Sequence, residues 1–366
     1  MLALWTALAA ITAADTAPEP FSVNSADGYV LNGVTDTPTG DPVGAVILVA
    51  GPGTFDRDMK FGRSGTSRDA VFKDMGQRFA TRGLTAIRYD RRGVIYGAPP
   101  ASAVDAQAIP GVTADNLSLD AEAVLAWARS SAGLNARCVV IFAHSEGAVH
   151  VAGIADRGHQ PAPDLIIGMG APLESKVSAV KWQSTGRDAD SLLMMDEDGD
   201  GVVTNDEVRR NWQTTPSGVF GRLEPFLQPD GAWSAEEIAS VRTVQTTLYE
   251  QARTAALAQA DNAPYPNAQT PAFSYGWWKS WFTDERPIAP MFAAWGAPMT
   301  LHYGSLDSQV REDQQRRAAS GVLAPDRVRF VSHDGRGHSL GSEVLLGPID
   351  EAIADQIAEE AEAACR

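Results

Sequence analysis

The stretch Arg137-Cys138-Val139-Val140-Ile141-Phe142-Ala143-His144-Ser145-Glu146-Gly147-Ala148 decides the fold. A run of β-branched and aromatic residues ends abruptly in small residues flanking a serine, and a helix-compatible run, Gly147 to Asp156, follows at once. The order reads as strand, tight turn and helix, with Ser145 at the apex. The turn fits Gly-x-Ser-x-Gly, with Ala143 in place of the first glycine. A turn this sharp needs small residues two before and two after the serine, because larger side chains would strike the neighbouring strand and helix. The pentapeptide alone is a weak signal. A buried strand before it and a helix after it make it specific.

Working outward, the flanking segments repeat the same alternation. Towards the N-terminus, Phe21 to Val34 reads as two short strands turning at Asp27-Gly28. Ala45 to Ala50 is a continuous apolar run, hence a buried, parallel strand. A helix pattern from Ala70 to Arg82, a strand from Thr85 to Asp90 and a helix from Ser118 to Ser131 follow. Beyond the serine, Asp164 to Gly170 is another strand. The alternation then stops, and from about Pro172 to Ala294 the chain is polar, helical and rich in Asp, Trp and Gln. It resumes with the strand Pro298–Tyr303, a helix over Arg311–Ala319, the strand Val328–Ser332, a Gly335-Arg336-Gly337-His338 loop and a closing helix from Pro348 to Ala364. The repeat predicts a mostly parallel sheet with helices on both faces, an α/β class. The interruption is too long for a connection and predicts an inserted, mainly helical domain over 173–294, with the sheet domain formed by 20–172 and 295–366.

Composition narrows the partners. The chain has 366 residues, enough for a sizeable core, with 46 acidic against 30 basic residues and a net charge of −16. An acidic chain without a basic stripe argues against nucleic acid and anionic membrane surfaces as partners. Residues Leu2 to Ala14 form an apolar run too short for a stable membrane anchor. It resembles the apolar region of a secretory signal, with small residues at a cut after Ala13 or Ala14 but no Lys or Arg ahead of it. The expectation is a signal peptide over 1–14 and a periplasmic or secreted protein. Cys138 and Cys365 are the two cysteines. Each should lie at the sheet edge opposite the serine, so they either pair in a disulfide or remain two thiols.

A serine hydroxyl needs a general base within hydrogen-bond reach and a third group to orient that base. Asp307 follows a buried strand in Gly304-Ser305-Leu306-Asp307, and His338 follows the last strand. Both fall at carboxyl ends of strands, on the edge that carries Ser145. Rivals are Glu174, after the preceding strand, for the acid and His333 for the base; His144 is expected to point away from the serine, and His302 to lie in the core.

The order Ser145, Asp307, His338 on alternating strands and helices resembles the α/β-hydrolase fold across 21–172 and 295–366. The Gly51-x-Gly53-x-x-Asp56-Arg57-Asp58 stretch further resembles a bacterial esterase and dienelactone-hydrolase-like branch. The resemblance implies that Ser145 attacks the carbonyl, His338 moves the proton and Asp307 fixes the imidazole tautomer. It implies no organic cofactor and a small-molecule ester as substrate. Peptidase, thioesterase and acyltransferase chemistry uses the same triad. An oxyanion hole needs two main-chain N–H groups. One is that of Glu146; for the other, Pro52 has no N–H, which leaves Gly53, with Thr54 behind it.

Within the insertion, 196–207 reads Asp-Glu-Asp-Gly-Asp-Gly-Val-Val-Thr-Asn-Asp-Glu and fits D-x-[DN]-x-[DN]-G-x₅-E at every fixed position. Calcium takes oxygen ligands, and the loop offers carboxylates from Asp196, Asp198 and Asp200, the carbonyl of Val202, a hydroxyl or a held water at Thr204, and both oxygens of Glu207. This is an EF-hand, expected to hold a structural calcium in the cap. Residues 226–237 resemble the second half of such a loop, either as a degenerate partner or by chance. The run Phe273 to Phe282 either lines an apolar pocket or forms the insertion's own core. Calcium with an inactive serine would instead make the chain a calcium-responsive binding protein.

Overall fold

The computed structural model describes residues 18–61, 64–99, 102–212, 223–269, 271–342 and 347–366. The expected signal peptide lies outside these residues. Among the described residues no helix is long and apolar enough to cross a membrane.

The strands are β1 (Glu19–Asn24), β2 (Val30–Asp36), β3 (Gly44–Val49), β4 (Leu84–Tyr89), β5 (Val139–His144), β6 (Leu165–Met169), β7 (Val202–Thr204), β8 (Ala232–Ser234), β9 (Pro264–Tyr265), β10 (Phe273–Ser274), β11 (Met299–Gly304) and β12 (Val328–His333). The helices are α1 (Val71–Thr81), α2 (Ala114–Arg129), α3 (Glu146–Asp156), α4 (Lys176–Thr185), α5 (Arg187–Leu193), α6 (Asn205–Asn211), α7 (Ala235–Leu257), α8 (Tyr275–Thr283), α9 (Ala289–Trp295), α10 (Glu312–Ala319) and α11 (Glu351–Cys365).

Eight strands form one sheet in the order β1-β2-β4-β3-β5-β6-β11-β12. The β1–β2 and β2–β4 pairs are antiparallel; every other pair in this sheet is parallel. The strands β3 and β5, apolar but for His144 at the end of β5, are buried on both faces, as parallel strands covered by helices must be. Side chains alternate: Val139, Ile141 and Ala143 join a core with α2 and α3, whereas Val140 and Phe142 join a second core with α1 and α11. One helix begins earlier than the apolar pattern suggests. Thr113 caps α2 by accepting a hydrogen bond from Asn116 N, so the helix starts at Ala114 rather than Ser118.

Cys138 and Cys365 form a disulfide across the lower edge of the sheet, tying the end of α11 to the start of β5. Gly44 makes room for it, since a Cβ there would sit 2.5 Å from Cys365 Sγ.

Between β6 and β11 lie α4 to α9 and the two small sheets. A separate core of Ala189, Leu192, Met195, Val203, Val208, Trp212, Phe226 and Ile238 fills the first part. Trp277, Trp281, Phe292 and Trp295 instead continue the core of the main sheet, and Trp295 Nε1 donates to His159 O below it. The last stretch of the segment thus seats directly on the helix that follows Ser145.

Candidate active site

Ser145 stands between β5 and α3 with φ 54° and ψ −124°, the left-handed side of φ that side chains rarely adopt. Its N–H donates to Met169 O at 2.8 Å and its carbonyl accepts from Ala148 N, so the turn is held from β6 and from α3. Gly147 is required at the second position after it: a Cβ there would lie 2.2 Å from Val49 O. Ala143 is fully buried, and its methyl is accommodated.

His338 Nδ1 and Asp307 Oδ2 are 2.7 Å apart, both groups buried. The other Asp307 oxygen accepts from Gln309 N at 2.7 Å and Val310 N at 2.9 Å. Two main-chain hydrogen bonds thus aim one carboxylate at one imidazole. Gly170, with φ +58°, leaves space for the His338 ring, which a Cβ would approach to 2.7 Å. Gly304 lets the end of β11 lie against Arg336 O and Gly337 O, bringing the histidine loop beside the aspartate turn.

The rivals lie elsewhere. Glu174 accepts from Gln315 Nε2, and burial raises its pKa. His333 Nε2 is 2.9 Å from His302 Nδ1, and His302 Nε2 in turn 3.1 Å from Glu360 Oε2. Burial and the charge of His302 hold His333 down to about 4. His144 does not leave the site as expected. Its ring packs 4.9 Å from that of His338, and burial together with His338 keeps its pKa well below the ordinary histidine value.

Ser145, His338, Gly53 and Glu146 all open on one cavity of about 360 Å³, walled by Phe55, Val180, Phe273, Trp277, Trp278, Trp281 and Val310. Gly53 has φ +132°, a conformation for glycine, and a Cβ would strike the Phe55 ring. The Asp56-Arg57-Asp58 run braces this loop from behind. Arg57 Nε and N both donate to Asp90 Oδ1, and Asp58 takes Arg88, a buried guanidinium also held by Asp36. The aromatic run therefore serves two ends: its tryptophans wall the cavity, while Phe282 packs on Tyr249 in the core.

The feature that sequence reasoning missed is the side chain of Glu146. It is 2% exposed, with Arg91 Nη2 at 3.4 Å, His150 Nε2 at 3.6 Å and Trp277 Nε1 donating to Oε1. Burial works to raise its pKa, but the neighbouring His150 and Arg91 and the hydrogen bond from Trp277 outweigh it and bring it to about 2. Glu146, the one carboxylate among the described residues that line the cavity, is thus ionised and has both oxygens engaged.

In the insertion, one carboxylate oxygen from each of Asp196, Asp198 and Glu207 lies within 4.8 Å of the others. Asp196 accepts from Gly199 N and Gly201 N, Asp200 from Val202 N, and Glu207 from Glu197 N. Thr204 caps α6 by accepting from Glu207 N, and the Glu207 carboxylate accepts in turn from Thr204 N. The converging donors are all oxygen, a set that fits a hard divalent cation. Residues 226–237 lie beside this loop: β7 and β8 pair antiparallel with Val203 opposite Trp233, and Ser234–Glu237 repeats the cap of Thr204–Glu207.

No family model and no curated protein matches this chain. Solved structures do. A highly thermostable carboxyl esterase from Bacillus coagulans is 16% identical over 95% of this chain and 97% of its own, with a TM-score of 0.53. DcsB, solved with its substrate analogue, is 14% identical over 95% and 99%, with a TM-score of 0.51. The α/β hydrolase GrgF from Penicillium sp. sh18 is 13% identical over 96% and 98%, with a TM-score of 0.50. The likeness is one of fold: a mostly parallel sheet between helices, of the α/β-hydrolase class.

Proposed function

We propose, from the α/β-hydrolase fold as premise, that the chain is a serine hydrolase of carboxylic esters acting through an acyl-enzyme. The observation that carries this is the His338–Asp307 hydrogen bond opening on the same cavity as Ser145 in its strained turn. Ser145 attacks the carbonyl carbon as His338 takes the hydroxyl proton. The electron pair of the C=O bond moves onto oxygen, facing the N–H groups of Glu146 and Gly53. Collapse expels the alcohol, which receives the proton from His338, and water repeats the sequence to release the acid.

Esters are favoured over peptides with a free amino terminus by the cavity itself. An ammonium group needs a carboxylate, and Glu146 has none of its charge to spare. The apolar wall suits an uncharged group. Purified protein is expected to release p-nitrophenol from p-nitrophenyl acetate, with Ser145→Ala lowering the rate at least 10³-fold. An unchanged rate in that variant overturns the reading. Failure of a fluorophosphonate to label Ser145 in folded protein would favour a calcium-responsive binding protein instead.

The loop 196–207 is read as a calcium site that orders the cap and stays outside the chemistry, with Asp196, Asp198, Asp200, Val202, Thr204 and Glu207 as the residues that would hold the ion. Its support is the oxygen cluster and the paired half-loop. A periplasmic or secreted location is supported by the Cys138–Cys365 bond, which suits an oxidising compartment.

A further inference from the structure

Glu146 carries two functions on one Cα. The residue lines the cavity beside Ser145, where its main-chain N–H is the proposed oxyanion donor, and its side chain runs into a buried cluster drawn from three parts of the chain. Trp277 comes from α8, Arg91 from the segment after β4, and His150 from the next turn of α3. The Trp277 ring is itself fixed: it stacks on Phe273 at 3.9 Å and 14°, and the Arg91 guanidinium lies 4.8 Å over the other ring of that stack.

As a device for stability alone this cluster is poor. Arg91 is buried, its Nε and Nη1 have no hydrogen-bond partner, and its contact with Glu146 is a long one. Buried charges so thinly compensated are commonly matched or bettered by apolar side chains of similar volume. As a device for catalysis it answers a specific difficulty. An ionised carboxylate one residue from the nucleophile would repel the oxyanion forming there, in a site where charges are weakly screened. Pulling that carboxylate onto Trp277 and Arg91 turns it away and spends its charge on them.

We propose that Trp277 is a positioning residue of the active site: by holding the Glu146 carboxylate it sets the orientation of the Glu146 main-chain N–H towards the developing oxyanion. The inference rests on Ser145 being the nucleophile. It makes the segment between β6 and β11 a contributor to the chemical step as well as a wall of the cavity.

The test uses the full chain and two probes, p-nitrophenyl acetate and an aryl trifluoromethyl ketone. The ketone forms a hemiketal in which Ser145 Oγ bonds to carbon, the proton passes to His338 and the oxygen becomes the anion. Trp277→Phe keeps the stacked ring and removes the donor. We expect kcat for the acetate to fall about tenfold, less than the 10²–10³ of deleting an oxyanion donor outright. KM should stay within about twofold, and ketone affinity should weaken by the same factor as kcat. A rise in KM with kcat and ketone affinity unchanged would make Trp277 a wall only and overturn the proposal. Should Trp277→Phe not fold, two changes at Glu146 decide the matter. Glu146→Gln keeps an oxygen for Trp277 and should lose less kcat than Glu146→Leu; equal losses overturn it. Ser145→Ala run alongside separates the two readings, since retained turnover there would defeat the serine mechanism rather than the role of Trp277.

Discussion

Gly147 is held by the main chain around it rather than by chemistry. A Cβ at that position would meet Val49 O, Val49 C and Ala50 O, all backbone of the neighbouring strand and its exit, which cannot rotate away. Gly147→Ala is therefore expected to cost about 2–3 kcal/mol by overpacking and to displace Ser145 with it. Urea unfolding and the rate of fluorophosphonate labelling should both drop; a normal midpoint and rate would show the turn to be more compliant than its geometry. His333 offers a second expectation at this scale. Its pKa is about 4 in the fold against an ordinary 6.5, so the unfolded chain binds the proton first as pH falls. Its contribution to stability is complete above pH 6.5 and is lost as pH falls to about 4. His333→Gln should flatten the pH dependence of the urea midpoint across that window, while an unaltered slope would assign it to other groups. Single residues were legible where chain order fixes their place: Ser145 in its turn, His338 after the last strand of the sheet. Glu146 was not, because Arg91 and Trp277 stand 55 and 131 positions away and nothing local announces them.

Among elements, the small β7–β8 ribbon has the clearest consequence. Its register sets Val203 against Trp233, so the loop 196–207 and the half-loop before α7 are braced as one unit over a core of their own. On the proposed calcium reading, a divalent cation would relieve the repulsion among the loop carboxylates in the folded form alone. Calcium at a hundredfold excess over its dissociation constant should then add about 2.7 kcal/mol. Chelation is expected to lower the melting temperature and raise KM for bulky esters more than for acetates, and Asp196→Ala should copy it and ignore added calcium. Loss of acetate turnover on chelation at a fixed melting temperature would mean the ion takes part in the reaction. The convergence of Asp196, Asp198 and Glu207 was legible from their spacing. The resemblance of 226–237 to a second half-loop rested on Asp230, Gly231 and Glu237, and the β7–β8 pairing that sets the two stretches side by side was not legible. The helix α2 was misplaced at its start because its apolar face begins a turn after its capping threonine.

Over the whole molecule, alternation along the chain gave the sheet, its interruption gave the inserted segment, and the cavity came only with the fold, since its walls draw on β3, β5, α4, α8 and β11 exits together. The Cys138–Cys365 bond closes a ring that contains Ser145, the entire segment between β6 and β11, Asp307 and His338. A protease that cut the surface of that segment would leave Ser145 on one fragment and Asp307 and His338 on the other. The ring keeps both fragments one covalent object, with the central strands still paired. Nicked protein should thus migrate as a single band without reductant and as two with it, and should hold its esterase rate until the bond is reduced under mild denaturant. Separation of the fragments without reductant would show the bond to be open in solution. Such a closure gives the molecule a tolerance to cuts in the segment between β6 and β11.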